Sequence, residues 1–240
     1  MGQHGKHRAL VAAGLALALA GGAEASCRQA LALGLDVSGS VVGSEYRLQL
    51  EGLAAALTDP DVVNAILAVP DEPVALTVFE WSASSHQRQV LGWRLLGTED
   101  AIRDAAAAIA EHERVKAPEA TGIGAAMMHA ADLFAVGPVC GARTLDISGD
   151  GTNNDWPAPE DVRADGVLAG VTVNALAVTS DTGAPEVLEG YFRAQVIQGP
   201  GAFVERAAGY KDYARAIRRK LLTELTTLAI GDAGPLPRLR

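Results

Sequence analysis

The chain is short of cysteine, aromatic residues and positive charge, and each shortage closes off a class of protein. Cysteine occurs twice, at Cys27 and Cys140, and no histidine or further cysteine stands beside either, so a disulfide-dense scaffold and a thiolate zinc site are both excluded. Aromatic residues make up 5% of the chain, so packing falls to aliphatic and alanine side chains. Lysine and arginine number 20 against 29 acidic residues, a net charge of −9, which disfavours nucleic acid and anionic lipid by bulk electrostatics. His86, His112 and His129 stand far apart in sequence, which points to packing or surface roles rather than a histidine metal site. After the N-terminal segment no charge-free apolar run reaches the ~20 residues needed to cross a bilayer, so no stable membrane insertion is expected of the mature chain.

What is present is ample core material. With 240 residues and 49% apolar composition, one large domain can form. The first residues differ from the rest: His4, Lys6, His7 and Arg8 are followed by an apolar run over 9–20, then Ala23-Glu24-Ala25. This pattern predicts a signal peptide over 1–25, a domain over 26–230 and a loose tail over 231–240. The run of about a dozen apolar residues is short for an anchor, and Glu24 sits where acylation of Cys27 would want an aliphatic residue. The expected location is therefore periplasmic or secreted. In such an oxidising compartment a disulfide between Cys27 and Cys140 is the economical reading, with two buried thiols as the alternative.

Strand-like and helix-like segments alternate along the chain, which predicts an α/β fold with a mostly parallel sheet of about six strands and helices on both faces. Strands are expected over 30–35, 74–81, 89–95, 143–148, 171–178 and 202–206. The second and third are joined by so short a link that they form an antiparallel hairpin at a sheet edge. Helices are expected from Ser44, a candidate cap, to Leu57, over 62–68, from Thr98 to Ala110, from Thr121 through Phe134, over 159–168, 186–196 and 210–228. Arg215, Arg218, Arg219 and Lys220 read as a solvated basic face of the last helix. Trp93 reads as core, while Trp81 and Trp156 either pack locally or line a partner surface.

Open parallel sheets bind ligands beyond the carboxyl ends of their strands. Two polar clusters fall at such ends: Asp36-x-Ser38-x-Ser40 after the first strand, and Ser148-Gly-Asp150-Gly-Thr152-Asn-Asn154 after the fourth. A carboxylate and two hydroxyls on alternate residues of a turning backbone aim three oxygens at one point. Oxygen-only donors suit Mg²⁺, Mn²⁺ or Ca²⁺ rather than zinc or copper.

At these residues the sequence resembles the von Willebrand factor type A domain, whose metal-ion-dependent adhesion site reads Asp-x-Ser-x-Ser, then a threonine, then an aspartate. The segments Ile147-Ser-Gly-Asp-Gly-Thr-Asn-Asn154 and Phe79-Glu-Trp81-Ser resemble a bacterial subgroup of exported type A-like domains. The resemblance implies a doubly wound, Rossmann-like sheet, with Ser38, Ser40 and Thr121 offering hydroxyls to a divalent cation, Mg²⁺ first, and Asp36 and Asp150 acting largely through water. Thr121 has a competing reading as a helix cap, and Asp146 is the competitor to Asp150. The implied activity is non-enzymatic: an Asp or Glu of a protein partner would complete the coordination. The implied strand order makes the first and fourth strands neighbours and so brings Cys27 near Cys140. A metal-dependent hydrolase or phosphotransferase using Asp36 is the alternative, but Ser38 stands where the haloacid dehalogenase-like pattern has a second carboxylate, and no general acid is evident. A serine hydrolase is further off, because Ser38 lacks the Gly-x-Ser-x-Gly elbow.

Overall fold

The computed structural model describes residues 27–179 and 184–231, so the expected signal peptide and the tail after 231 lie outside the described residues. The central strand, β1 (Cys27–Asp36), is buried at every position. Its side chains alternate between two cores, as a pleated strand requires. Leu31, Leu33 and Leu35 point to one core. Ala30 and Ala32 point to the other, with Phe79 and Ile147. On that second face a Cβ at Gly34 would stand 2.8 Å from the Phe79 ring, so the small residues of β1 are what admit the large ones of its neighbours.

Around β1 the sheet runs β3-β2-β1-β4-β5-β6. β2 (Val74–Trp81) and β4 (Cys140–Gly149) pair with it in parallel, β5 (Thr172–Thr179) and β6 (Val204–Ala208) continue in parallel, and β3 (Gln87–Leu96) closes the other edge antiparallel. This is the six-stranded, doubly wound α/β sheet expected from the alternating pattern. The helices α1 (Gly43–Leu57), α2 (Pro60–Ile66), α3 (Glu99–Ala110) and α7 (Tyr213–Gly231) cover the leucine face of β1. α4 (Ile123–Val136), α5 (Pro159–Ala164) and the π-helical turn Phe192–Val196 that follows α6 (Pro185–Tyr191) cover the alanine face.

Local chemistry sets most helix ends. Thr98 caps α3 by accepting from the Ala101 N–H at 3.1 Å, and Asp59 caps α2 ahead of Pro60. α1 starts differently from the sequence expectation: the cap position is Val42, Ser44 lies inside the first turn, and the Glu45 carboxylate reaches back to accept from the Val42 N–H at 2.9 Å. α5 is shorter than expected, with Gly166 in the left-handed region just after it.

Lys220 departs most from expectation. It is fully buried, 3.0 Å from Asp146 of β4 and 2.6 Å from Glu224, rather than on a solvated face. Its neighbours in sequence are paired nearer the surface, Arg218 with Asp59 and Asp61, Arg219 with Glu205. Trp93 is half-buried, its indole N–H donating to the Leu133 carbonyl at 3.1 Å.

Cys27 and Cys140 are register partners at the amino ends of β1 and β4, and they form the disulfide, with Cα atoms 4.6 Å apart and a sequence separation of 113. Among the described residues no helix is long and apolar enough to cross a membrane. A bridge closing so long a loop stabilises by up to about 4 to 5 kcal/mol in the chain-entropy model. Urea unfolding of the Cys27→Ser, Cys140→Ser double variant is expected to show a loss of that order, with the same denaturant slope once the wild type is measured reduced.

Candidate metal centre

β1 delivers Asp36 to the end of the sheet opposite the disulfide, and the chain turns there at once. The Val37 N–H donates to the Trp81 carbonyl at 2.9 Å, the Ser38 N–H to Asp36 Oδ1 at 2.7 Å, and the Val41 N–H to the Ser38 carbonyl at 3.0 Å. Two side chains brace this turn from outside. Gln49 of α1 donates to the Asp36 carbonyl at 2.9 Å, and Arg114 donates to the Val41 carbonyl at 2.6 Å. Gly39 lets the loop before α4 close over the turn: its N–H donates to the Glu119 carbonyl at 2.9 Å, and a Cβ at Gly39 would meet the Glu119 Cβ at that same distance.

Four of the five expected residues meet through a chain of short contacts. Ser38 Oγ and Ser40 Oγ are 3.4 Å apart, and the Ser40 hydroxyl donates to Asp150 Oδ1 at 2.5 Å. Asp36 is wholly buried; Oδ1 is held by the Ser38 amide, whereas Oδ2 has no hydrogen-bond partner. Gly149, just before Asp150, is what admits β4 here, since a Cβ there would lie 3.2 Å from Asp36 Oδ2. Burial, reinforced by the Asp150 carboxylate, pushes Asp36 up to about 7. Burial likewise raises Asp150, and the Ser40 hydroxyl works against that rise. The fifth residue, Thr121, is nearly buried and faces the same loop, its Oγ1 being 3.8 Å from where a Gly151 Cβ would stand. The cap position of α4 is Gly122. Asp146 points away, toward Lys220.

Several residues that position the cluster carried no clear signal in the sequence. Asn154 holds Thr121 at both ends: its Oδ1 accepts from the Thr121 N–H at 2.8 Å and its N–H donates to the Thr121 carbonyl at 2.9 Å. Asn153 caps α4 from across the site, accepting from the Ile123 N–H at 2.7 Å. Tyr210 faces the two carboxylates, and burial followed by Asp150 and Asp36 holds its hydroxyl well above the ordinary range. Behind the turn, buried Glu80 accepts from Tyr46 at 2.8 Å and Arg88 at 3.3 Å, with His86 and His112 at 3.5 and 3.9 Å. The only polarity signals available for these were two adjacent asparagines and one strand-borne glutamate.

A groove of about 330 Å³ runs from Asp150 to Pro185, Val187 and Leu188 of α6. Trp156, 75% exposed, stands on the same loop as Asp150, whereas Trp81 is buried. Among the described residues no three His, Cys, Asp or Glu side chains converge as a metal cage, so a cation held here would depend on the hydroxyls. The donor set fits a hard cation: oxygen throughout, with one buried carboxylate oxygen lacking any partner. Since Asn153 satisfies the first amides of α4, Asn153→Ala is expected to cost about 1 to 2 kcal/mol in chemical denaturation, with Asn153→Asp retaining most of the stability.

Comparison with known proteins places these features. No curated protein matches the chain at a significant level. Solved structures match its fold. Proximal thread matrix protein 1 from the mussel byssus is 15% identical with a TM-score of 0.58, over 86% of this chain and 49% of that one. A form of the same protein with a zinc-occupied MIDAS motif matches at 16% identity and 0.56, over 83% and 46%. The pilus adhesin SpaC from Lactobacillus rhamnosus GG matches at 13% and 0.58, over 84% and 30%, and a von Willebrand factor type A protein from Catenulispora acidiphila at 13% and 0.57, over 83% and 43%. The chain thus spans half or less of the length of each of these proteins, and shares with them the von Willebrand factor type A fold. A family model described as "Protein of unknown function (DUF1194)" matches residues 26–229, and the chain belongs to that family.

Proposed function

We propose that the chain is an exported, non-enzymatic protein-binding module that holds a divalent cation, Mg²⁺ in the first place, through Asp36, Ser38, Ser40, Thr121 and Asp150, and that an Asp or Glu of a partner protein completes the site. The observation that carries this reading is the Asp36 carboxylate: fully buried, close enough to Asp150 for the two charges to repel, and with one oxygen unpartnered. Two such carboxylates are stable together only with a proton or a cation between them. The hydroxyls of Ser38 and Ser40, in a chain of contacts that reaches Asp150, supply neutral oxygens. A cation met mainly by neutral hydroxyls stays electron-poor and favours one more carboxylate, which is the chemistry of binding an acidic side chain. The adhesin and matrix proteins that share the fold are consistent with protein binding, and the disulfide with an oxidising compartment.

A hydrolase using Asp36 as nucleophile fits the geometry poorly. Its carboxylate is closed to solvent, with Oδ1 tied to the Ser38 amide, so the access that attack on a substrate requires is lacking.

Calorimetric titration of chelator-stripped mature protein with Mg²⁺ and Mn²⁺ tests the reading. Wild type is expected to bind one equivalent, and Ser38→Ala and Asp150→Ala to lose that heat while keeping the wild-type circular dichroism. Thr121→Ala is expected to weaken binding by at least about tenfold. A wild type silent toward both ions, with or without added acetate as a stand-in for the partner carboxylate, counts against the proposal.

A further inference from the structure

Between β4 and α7, three ionisable side chains share one sealed pocket. Asp146 of β4, Lys220 and Glu224 of α7 have side-chain exposures of 2%, 0% and 1%. Lys220 Nζ lies 3.0 Å from Asp146 Oδ2 and 2.6 Å from Glu224 Oε1, and it stands 5.0 Å over the Phe203 ring. Asn174 donates to the same Glu224 oxygen at 2.7 Å, while its own carbonyl oxygen accepts from the Phe203 N–H at 3.1 Å. One ammonium faces two carboxyl groups, so it balances the charge of only one of them. Nor are the hydrogen bonds complete: neither oxygen of Asp146 sits in hydrogen-bonding geometry with any donor, despite the close approach of the lysine, and Glu224 Oε2 has none either. A buried ion pair is tolerated when its remaining lone pairs are satisfied, and here they are not.

We propose that Lys220 and Asp146 condense into an intramolecular isopeptide bond, with Glu224 taking the proton of the lysine, so that the last helix is covalently tied to β4. The step balances without any oxidant, cofactor or second substrate. The Lys220 ammonium passes a proton to Glu224. The freed amine adds to Cγ of the protonated Asp146 carboxyl; a C–N bond forms, the C–O bond breaks, and one water leaves. The products are a neutral amide, a neutral Glu224 carboxylic acid and water, so every formal charge disappears from the pocket.

Three features favour the step. Burial pushes Asp146 up to about 7, against the pull of Lys220, toward the neutral acid that addition requires. On Lys220 burial opposes the charge, but its two acidic neighbours outweigh it, so the amine begins as an ammonium and needs the acceptor that Glu224 provides. The reacting groups are already held at contact distance, which removes the entropic part of the barrier. A pocket closed to water also keeps the amide from being hydrolysed once the departing water has escaped. Asn174 has both ends of its amide engaged, and Glu224 serves as the proton acceptor, which leaves Asp146 as the acylating partner.

Intact-mass measurement of the mature protein, denatured and with Cys27 and Cys140 reduced, decides the matter. The wild type is expected to fall below its sequence mass by one water. Trypsin is expected to yield a branched species joining the peptide that begins at Thr144 to the one that carries Lys220, with no cleavage after Lys220. Lys220→Met and Glu224→Ala are each expected to run at full sequence mass, and Asn174→Ala to retain the deficit. A wild type at full mass, with the Thr144 peptide and a peptide beginning at Leu221 both recovered free, overturns the proposal. So does a deficit of one ammonia in place of water, which would assign the bond to Asn174. Because the decisive reading is made on the wild type, a variant that fails to fold does not affect it.

Discussion

The structure depends on burying one strand on both faces while hydrogen-bonding it on both edges. β1 has no exposed residue, and β2 and β4 flank it in parallel, so its two ends are fixed in space as firmly as its middle. That constraint writes the rest of the molecule. At the amino end the register places Cys27 opposite Cys140, and at the carboxyl end Leu35 opposite Ser148, just before the chain reaches Asp36 and Asp150. The same alignment that closes the disulfide therefore sets how far apart the two carboxylates stand. The alternation of leucine with alanine and glycine along β1 then decides which helices lie on which side.

Beyond the strand ends, the candidate metal centre is held almost wholly by backbone groups and amide side chains. The turn after β1 is fixed by the Trp81 carbonyl, Gln49 and Arg114. The loop carrying Thr121 is fixed by Asn154, and the Gly122 N–H donates to the Ser82 carbonyl at 2.6 Å. Asp155 accepts from the Ser84 N–H at 2.7 Å and so ties the loop after β4 to the loop after β2. None of these braces uses a hydroxyl of Ser38 or Ser40; the Ser40 hydroxyl donates to Asp150 and lies beside that of Ser38. A rigid frame with its polar atoms spent inward leaves the few functional oxygens pre-set, which is the condition for a site with little reorganisation on binding.

Much of this was legible in the sequence because it rests on local patterns. The continuous apolar run ending at Asp36, the hairpin implied by the short link after Trp81, and the Thr98 cap each follow from a handful of adjacent residues. Asp36, Ser38 and Ser40 lie within one turn, and Asp150 at an equivalent strand end, so their convergence needed only the sheet order. What was not legible depended on partners distant in sequence. Lys220 sits in a basic run whose other members are exposed or half-buried, and only Asp146, on a strand from another part of the chain, explains why this one turns inward. The capping of α4 by Asn153 and the gathering of His86 and His112 around Glu80 are likewise tertiary events. Ser44 misled for the opposite reason: its own preference for a cap position was overridden when Glu45 took up the Val42 amide.

Among the described residues, the sheet ends in two strands that have a neighbour on one side only. β3 carries Arg88 and Arg94 and loses register against β2 near Val78, and β6 is five residues long, with Arg206 exposed beside Glu205. Charge, irregular twist and brevity are the devices by which an open sheet refuses a further strand. Those two borders guard against edge-to-edge polymerisation. A further chain gains little by adding a strand at either side.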